Sequence, residues 1–197
     1  MKTKKLIVGL TGEKLAGKGT TAAYLAEKHG ARVFRFSEVL DDILKRLYFP
    51  IERQNQISLA LTLREKFGAD ILARTLWRDV QKDDHNLIVV DGMRMPQEGE
   101  LFGKLPNFVL VYITAPMQTR FGRIQGRDEK ADEKTMSFEK FREIEEESPT
   151  ETSIKILGSC AKLKIENNGT FEELYNKIEK EIVKIFPPLS KGRRGGV

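Results

Sequence analysis

Residues 12 to 20 read Gly12-Glu13-Lys14-Leu15-Ala16-Gly17-Lys18-Gly19-Thr20, a spacing that can bind phosphate. Glycines at positions 12, 17 and 19 permit unusual dihedrals and a close approach, so backbone N–H groups can turn inward around an anion. An apolar run from Lys5 to Leu10 precedes this loop, and a helical pattern from Lys18 to His29 follows it. The start of that helix adds the positive end of its dipole at the same place. Lys18 can then reach the β- and γ-phosphates of ATP as a point charge, while the hydroxyl of Thr20 or Thr21 can coordinate Mg²⁺. The plain alternative is a glycine-rich turn with an incidental lysine. The strand before and the helix after weigh against it.

Two further constellations fit the same chemistry. Leu87-Ile88-Val89-Val90 is a short apolar strand that ends in Asp91, which places a carboxylate near the Mg²⁺ at the C-terminal edge of a sheet. A turn-forming Asp before Gly92 is the bland reading of that residue. Arg120, Arg123 and Arg127 are spaced by three and four, so they share one face if their helix persists. Guanidinium groups gathered on one face repel unless anions lie among them, and transferring phosphates are such anions. Pairing with Asp128, Glu129 or Glu133 on a solvated face is the alternative for these arginines.

These groups need a scaffold, and the rest of the sequence supplies one. Apolar runs of strand length alternate with helical patterns, which predicts an α/β protein with a mostly parallel sheet. Strands are expected over Lys5 to Leu10, Ala31 to Phe36, Leu87 to Val90 and Phe108 to Ile113, with a weaker one over Ala161 to Ile165. Gly30 should close the first helix. Ser37 to about Gln81 is helical in pattern, broken at Pro50 and Gly68, and is more helix than a simple crossover requires. Other helices are expected over about Pro116 to Gln125, Ser137 to Glu147 and Phe171 to Ile185. Gln125 to Met136 is polar and without periodicity, as a surface loop or a lid would be.

Bulk properties narrow the class. The chain has 197 residues, 40% hydrophobic and 32% charged, which fits one domain with small inserted lobes. The net charge is +5, and Lys191, Arg193 and Arg194 of a glycine-containing tail contribute much of it. With no RNA- or DNA-binding motif beside that tail, no nucleic-acid partner is expected, and residues 187–197 read as a flexible basic tail. No apolar run approaches the roughly 20 residues that span a bilayer. The basic start Met1-Lys2-Thr3-Lys4-Lys5 precedes too short an apolar run for a signal peptide and is expected to feed a core strand. The single cysteine, Cys160, fits a reducing cytoplasm and is expected to be an inert core thiol. His29 and His85 form no metal-ligand pattern and are expected at surface or capping positions. Trp77, Phe67 and Leu63 are expected in the core of the helical region, and Glu143, Glu145, Glu146 and Glu147 on a solvated face.

From Leu6 to about Ile185 the chain resembles the group of nucleoside monophosphate kinases and dephospho-CoA kinases. The Lys18-Gly19-Thr20 step, with glycine between lysine and threonine, is similar to the form in adenylate kinases. Asp91-Gly92-Met93-Arg94 is similar to a family D-G-F-P-R motif with one residue fewer. Val89 to Arg94, Leu110-Val111-Tyr112-Ile113-Thr114-Ala115 and Glu166-Asn167-Asn168-Gly169-Thr170 resemble AAA-type P-loop kinases of archaea and small-genome bacteria more closely.

The resemblance implies a three-layer P-loop fold with a parallel five-stranded sheet, formed by residues 1–186. It further implies a helical acceptor-binding lobe over 37–81 and a short lid over 127–136. Residues Gly12 to Thr21 would hold ATP, and Thr20 and Asp91 would hold Mg²⁺. Lys18, Arg94, Arg123 and Arg127 would be the catalytic cations, with Arg94 on substrate phosphate. Phe36-Ser37-Glu38-Val39-Leu40-Asp41 stands where adenylate kinases have S-T-G-D-M-L-R, so Asp41 replaces a phosphate-clamping arginine. Arg35, Arg53 and Arg64 are the possible substitutes, and Ser37 and Glu38 would lie at the acceptor. Dephospho-CoA kinases carry an aspartate pair there, of which only Glu38 offers a counterpart. A nucleoside or deoxynucleoside monophosphate is the preferred acceptor. A dephospho-CoA kinase, or a slowly hydrolysing ATP-dependent switch or chaperone, is the alternative, and oligomeric state stays open.

Overall fold

The computed structural model describes residues 5–125 and 136–185. Its strands are β1 (Leu6–Thr11), β2 (Arg32–Arg35), β3 (Leu87–Met93), β4 (Phe108–Thr114) and β5 (Leu163–Glu166). All neighbours are parallel, in the order β2-β3-β1-β4-β5. Helices are α1 (Lys18–His29), α2 (Phe36–Arg46), α3 (Arg53–Phe67), α4 (Ile71–Lys82) and α5 (Pro96–Phe102). They continue with α6 (Met117–Gln125), α7 (Phe138–Glu146), α8 (Pro149–Ser159) and α9 (Phe171–Glu181). The expected lid, apart from Met136, lies outside the described residues. So do Arg127 and the tail.

The three central strands are apolar without alternation because both faces of a parallel sheet are covered. Leu6, Val8 and Leu10 point to one face, where Ala22 and Leu25 of α1 and Leu174 and Ile178 of α9 meet them. Ile7, Ile88 and Val90 point to the other, under Leu76 and Val80 of α4, Phe102 of α5 and Leu157 of α8. Each such side chain contributes about 1.5–3 kcal/mol on burial. The order in which strands are added changes side at β1: β3 lies on one side of it and β4 on the other. A crevice opens at the C-terminal end of such a central strand, and ligands of open α/β sheets sit there.

Several local expectations are corrected. Helices α5 and α8 occupy stretches in which none was expected. Each starts with proline in its first turn and a glutamate in the same turn, Glu98 and Glu151. Cys160 is exposed rather than in the core, because the buried stripe of α8 ends with Ile154, Leu157 and Gly158 and Cys160 caps the helix beyond it. Phe67, the last residue of α3, is also exposed, whereas Leu63 and Trp77 pack as expected. Glu145 leaves the solvated acidic face: it lies one turn from Phe141, and both are buried.

Candidate active site

The loop after β1 keeps its shape through backbone conformations that few residues adopt. Gly12 has φ 149° and Gly17 has φ 112°. A Cβ at Gly12 would overlap the Ile113 carbonyl, and one at Gly17 would overlap the Asn167 amide. Leu15 adopts φ 64° despite its side chain, which is buried against Ile124 and Phe141. A bulky residue in that region costs of order 1 kcal/mol or more and persists where its surroundings hold it.

Lys18 begins α1, and its ammonium donates to the carbonyls of Gly12 (2.7 Å) and Glu13 (2.9 Å). Burial lowers its pKa, with Asp91, Glu151 and Glu13 pulling the other way and Arg94 adding to the decrease. Asp91, next to last but one in β3, shows the complementary effect. Burial raises its pKa, and Lys18, Arg35 and Arg94 oppose the rise. Arg35 Nε lies 3.5 Å from Asp91 Oδ2. Two oppositely charged groups, each disfavoured by burial, therefore face one another at the edge of the sheet.

The two candidate hydroxyls separate. Thr21 is fully buried and donates to the Gly17 carbonyl at 3.0 Å, inside the helix. Thr20, one residue earlier, is half-buried. Among the described residues no group of three or more His, Cys, Asp or Glu could hold a metal by itself. The donor set Thr20 and Asp91 fits Mg²⁺ that takes its remaining ligands from phosphate and water. The inward-turning loop with Lys18 fits a polyphosphate.

Arg94 is exposed beside Asp91. Its backbone N–H donates to Glu98 Oε2 at 2.7 Å, and that of Met95 does so at 3.0 Å. Glu98 thus fixes the turn that carries Arg94 from within α5. Its own pKa is raised, chiefly by burial, against these bonds and the charges of Arg64 and Arg94. Arg64 is accordingly near the Arg94 end of the site, whereas Arg53 is exposed at the far end of α3. Ser37 is exposed at the start of α2. Glu38 accepts from the backbone N–H of Arg35 (3.2 Å) and from its guanidinium (3.1 Å). Asp41 accepts from Gln56 Nε2 at 2.5 Å, which ties α2 to α3.

The arginines of α6 reach the loop. Arg120, almost fully buried, forms a two-pronged pair with Glu145, with Nη2 to Oε2 at 2.7 Å. It also donates to the carbonyls of Ala115 (3.0 Å) and Lys14 (3.1 Å). Its partner among the described residues is Glu145, 25 residues away; Asp128, Glu129 and Glu133, considered from sequence, lie outside the described residues. Arg123 donates to the carbonyls of Leu15 (2.9 Å) and Asn167 (2.7 Å).

Asn167, Glu98 and Glu151 were given no role from sequence, and Glu13, expected only among the residues that hold ATP, has a further contact. Asn167, buried after β5, donates to the Ala16 carbonyl at 2.8 Å. Glu13 is buried and accepts from the Tyr112 hydroxyl, whose pKa is pushed up to about 12 by burial and by that bond. Glu98 acts as described above, and Glu151 has its pKa raised by burial and by Glu145. A usable signal for Asn167 was present: it follows the last strand at the edge where the loop sits.

The sheet order and the loop define a P-loop kinase-like fold. Shikimate kinase from Bacteroides thetaiotaomicron superposes with a TM-score of 0.62 at 14% identity, covering 89% of this chain and 97% of that one. The chain belongs to the family described as AAA domain, which it matches over residues 8–149. A UPF0200 protein of Methanosarcina mazei is 30% identical over 84% of this chain and 88% of its own length. A UPF0200/UPF0201 protein of Archaeoglobus fulgidus is also 30% identical over 91% of this chain, which spans only 55% of that longer protein. No helix among the described residues is long and apolar enough to cross a membrane.

Proposed function

We propose that this protein is a phosphotransferase that moves the γ-phosphoryl of ATP to a small phosphorylated acceptor, a nucleoside or deoxynucleoside monophosphate. The observation that carries the reading is the convergence of Lys18, Asp91, Arg35 and Arg94 at the end of the central strands. There they flank a loop shaped for phosphate, beside the helices α2 to α4. An oxygen of the acceptor phosphate attacks the γ-phosphorus, and the bond from that phosphorus to the β–γ bridging oxygen breaks, releasing ADP. An acceptor phosphate is already an anion, so no side chain needs to remove a proton. Lys18 holds the β- and γ-oxygens. Arg94, with Arg64 behind it, holds the acceptor phosphate through a fork of donors. Arg127, outside the described residues, is assigned to the transferring group. Bound Mg²⁺, held by Thr20 and Asp91, would neutralise charge on the transferring phosphates.

A hydroxyl acceptor, as in a dephospho-CoA kinase, would need a base at the acceptor end. Glu38, the carboxylate expected there, is engaged by Arg35. The test is coupled ADP release across nucleoside monophosphates, deoxynucleoside monophosphates and dephospho-CoA. Turnover that depends on one monophosphate class supports the reading. Turnover with dephospho-CoA alone replaces the acceptor, and slow hydrolysis indifferent to any acceptor removes the kinase assignment altogether.

A further inference from the structure

Three successive carbonyls of the phosphate loop are each held by a side chain from elsewhere in the fold. Lys14 O accepts from Arg120, Leu15 O from Arg123 and Ala16 O from Asn167, at 3.1, 2.9 and 2.8 Å. In a trans peptide the carbonyl of one residue and the N–H of the next point in opposite directions. Holding those carbonyls therefore sets the direction of the N–H groups of Leu15, Ala16 and Gly17. Arg123 also donates to the Asn167 carbonyl at 2.7 Å, so the second and third holds are linked to each other. Asn167 is itself fixed by its backbone N–H, which donates to Thr114 O at 2.8 Å at the end of β4. Its amide occupies the space that a side chain at position 17 would need.

We propose that Asn167 and Arg123 are positioning residues that hold the loop in its phosphate-binding shape before nucleotide arrives. They act through the Ala16 and Leu15 peptides. Leu15 supports this, since its left-handed conformation needs surroundings that enforce it. The sites of the two residues differ in kind. Arg120 is neutralised by Glu145 and belongs to the packing of α6 on α7. The Arg123–Asn167 pair instead joins the last turn of α6, the end of β5 and the loop. The inference rests on the nucleotide-binding part of the proposed function and not on the identity of the acceptor.

The test uses the full chain, with Mg²⁺ and a non-hydrolysable ATP analogue titrated by calorimetry, and amide hydrogen exchange at Leu15, Ala16 and Gly17 without nucleotide. Asn167→Ala should weaken binding about tenfold and speed exchange at those amides by a similar factor, as loss of one buried hydrogen bond implies. The acceptor KM should not move. Asn167→Asp keeps the shape but, when ionised, sets an acceptor against the Ala16 carbonyl where the amide donated. Its affinity should fall below that of Asn167→Ala at about pH 8 and recover as pH falls through the pKa of this carboxyl, which burial against a carbonyl raises, because the protonated form donates again. Arg123→Gln, able to reach one carbonyl and not two, should lose less than Arg123→Ala. Unchanged affinity and exchange in Asn167→Ala would overturn the proposal. So would a pH-independent Asn167→Asp, or a loss that only tracks the thermal midpoint. Wild-type protein that binds no nucleotide would remove both this proposal and the nucleotide reading. Binding without transfer to any acceptor would remove only the kinase assignment.

Discussion

The phosphate loop and the helical region over residues 36–82 flank the same end of one sheet, and they are built in opposite ways. Around the loop, polar groups are buried and several are paired, although Thr11 Oγ1, Glu13 Oε2 and Glu151 Oε2 are buried without a hydrogen-bond partner among the described residues. Arg120, 4% exposed, meets Glu145, Glu13 meets Tyr112, and Asn167 meets a loop carbonyl. In the helical region apolar groups are left in water. Tyr48 is 90% exposed and Leu61 is 61% exposed, and Leu47, Phe49, Ile51 and Ile57 are exposed nearby. A small cluster, centred on Leu40, Ala60 and Leu72, packs α2, α3 and α4 together. The donor side is thus ordered in advance, while the other side presents unfilled apolar surface. Where exposed apolar side chains join into one large patch, that patch marks a place where something binds. A binding lobe that fills only with substrate would have this character.

The largest effect that separates the two sides is on turnover. Lys18→Ala should reduce ATP-dependent transfer by about 10³-fold or more, the scale of a lost electrostatic contact to transferring charge. The thermal midpoint without nucleotide should hardly change, because the ammonium's bonds to two loop carbonyls are offset by its burial. A preserved rate would mean that the loop is not the donor site.

Next in size is the buried pair. Glu145→Ala leaves Arg120 charged and nearly inaccessible, and denaturant unfolding should show a loss of about 3–5 kcal/mol. Replacing both partners with apolar residues of similar volume should recover most of that loss. A loss under about 1 kcal/mol in the single variant would show that water already reaches the pair, and the contrast between the two sides would weaken.

What could be read in advance follows the same division. The sheet, α1 and the glycine loop were legible because their signals are local: continuous apolar runs, a turn of glycines, a helix start. Partner choice was not. Glu143, Glu145, Glu146 and Glu147 look alike in sequence, and only the face toward α6 decides that Glu145 is the buried one. Arg123 could be placed on the right face but not assigned the carbonyls it meets, since one of them lies 44 residues away. Helix α5, seven residues long, was missed because too few turns repeat to show a period. The exposed Phe67 was misplaced for a related reason, as helical spacing alone does not say where the covering layer stops.

A third prediction concerns the charge pair where the two sides meet. Arg35 leads from β2 into α2 and lies against Asp91. Burial raises the Asp91 pKa, and Arg35 is one of three cations that restrain it. Arg35→Ala should raise it further, so the acid limb of the kcat/KM profile should move to higher pH. The sign for stability runs the other way. With a folded pKa above the unfolded one, the protonated form favours the fold, so the Asp91 contribution to stability grows as pH falls through the folded pKa. An acid limb that stays in place in Arg35→Ala would detach this pair from catalysis.

The smallest change in stability falls on the apolar surface itself. Leu61 stands one turn from Ile57 on α3, between Arg53 and Arg64, and Arg64 is the residue whose charge reaches Glu98 below Arg94. Leu61→Ser removes little buried area and should alter unfolding free energy by no more than about 0.5 kcal/mol. If this face meets the body of the acceptor, the same change should raise the acceptor KM several-fold, on the order of 1 kcal/mol of lost apolar contact, and leave the KM for ATP where it was. An equal rise in both constants would point to a general loosening of the lobe. No rise in either would mean that the exposed apolar surface serves something other than the reaction, and that the open side of the site must be sought along Arg94 and Ser37 instead.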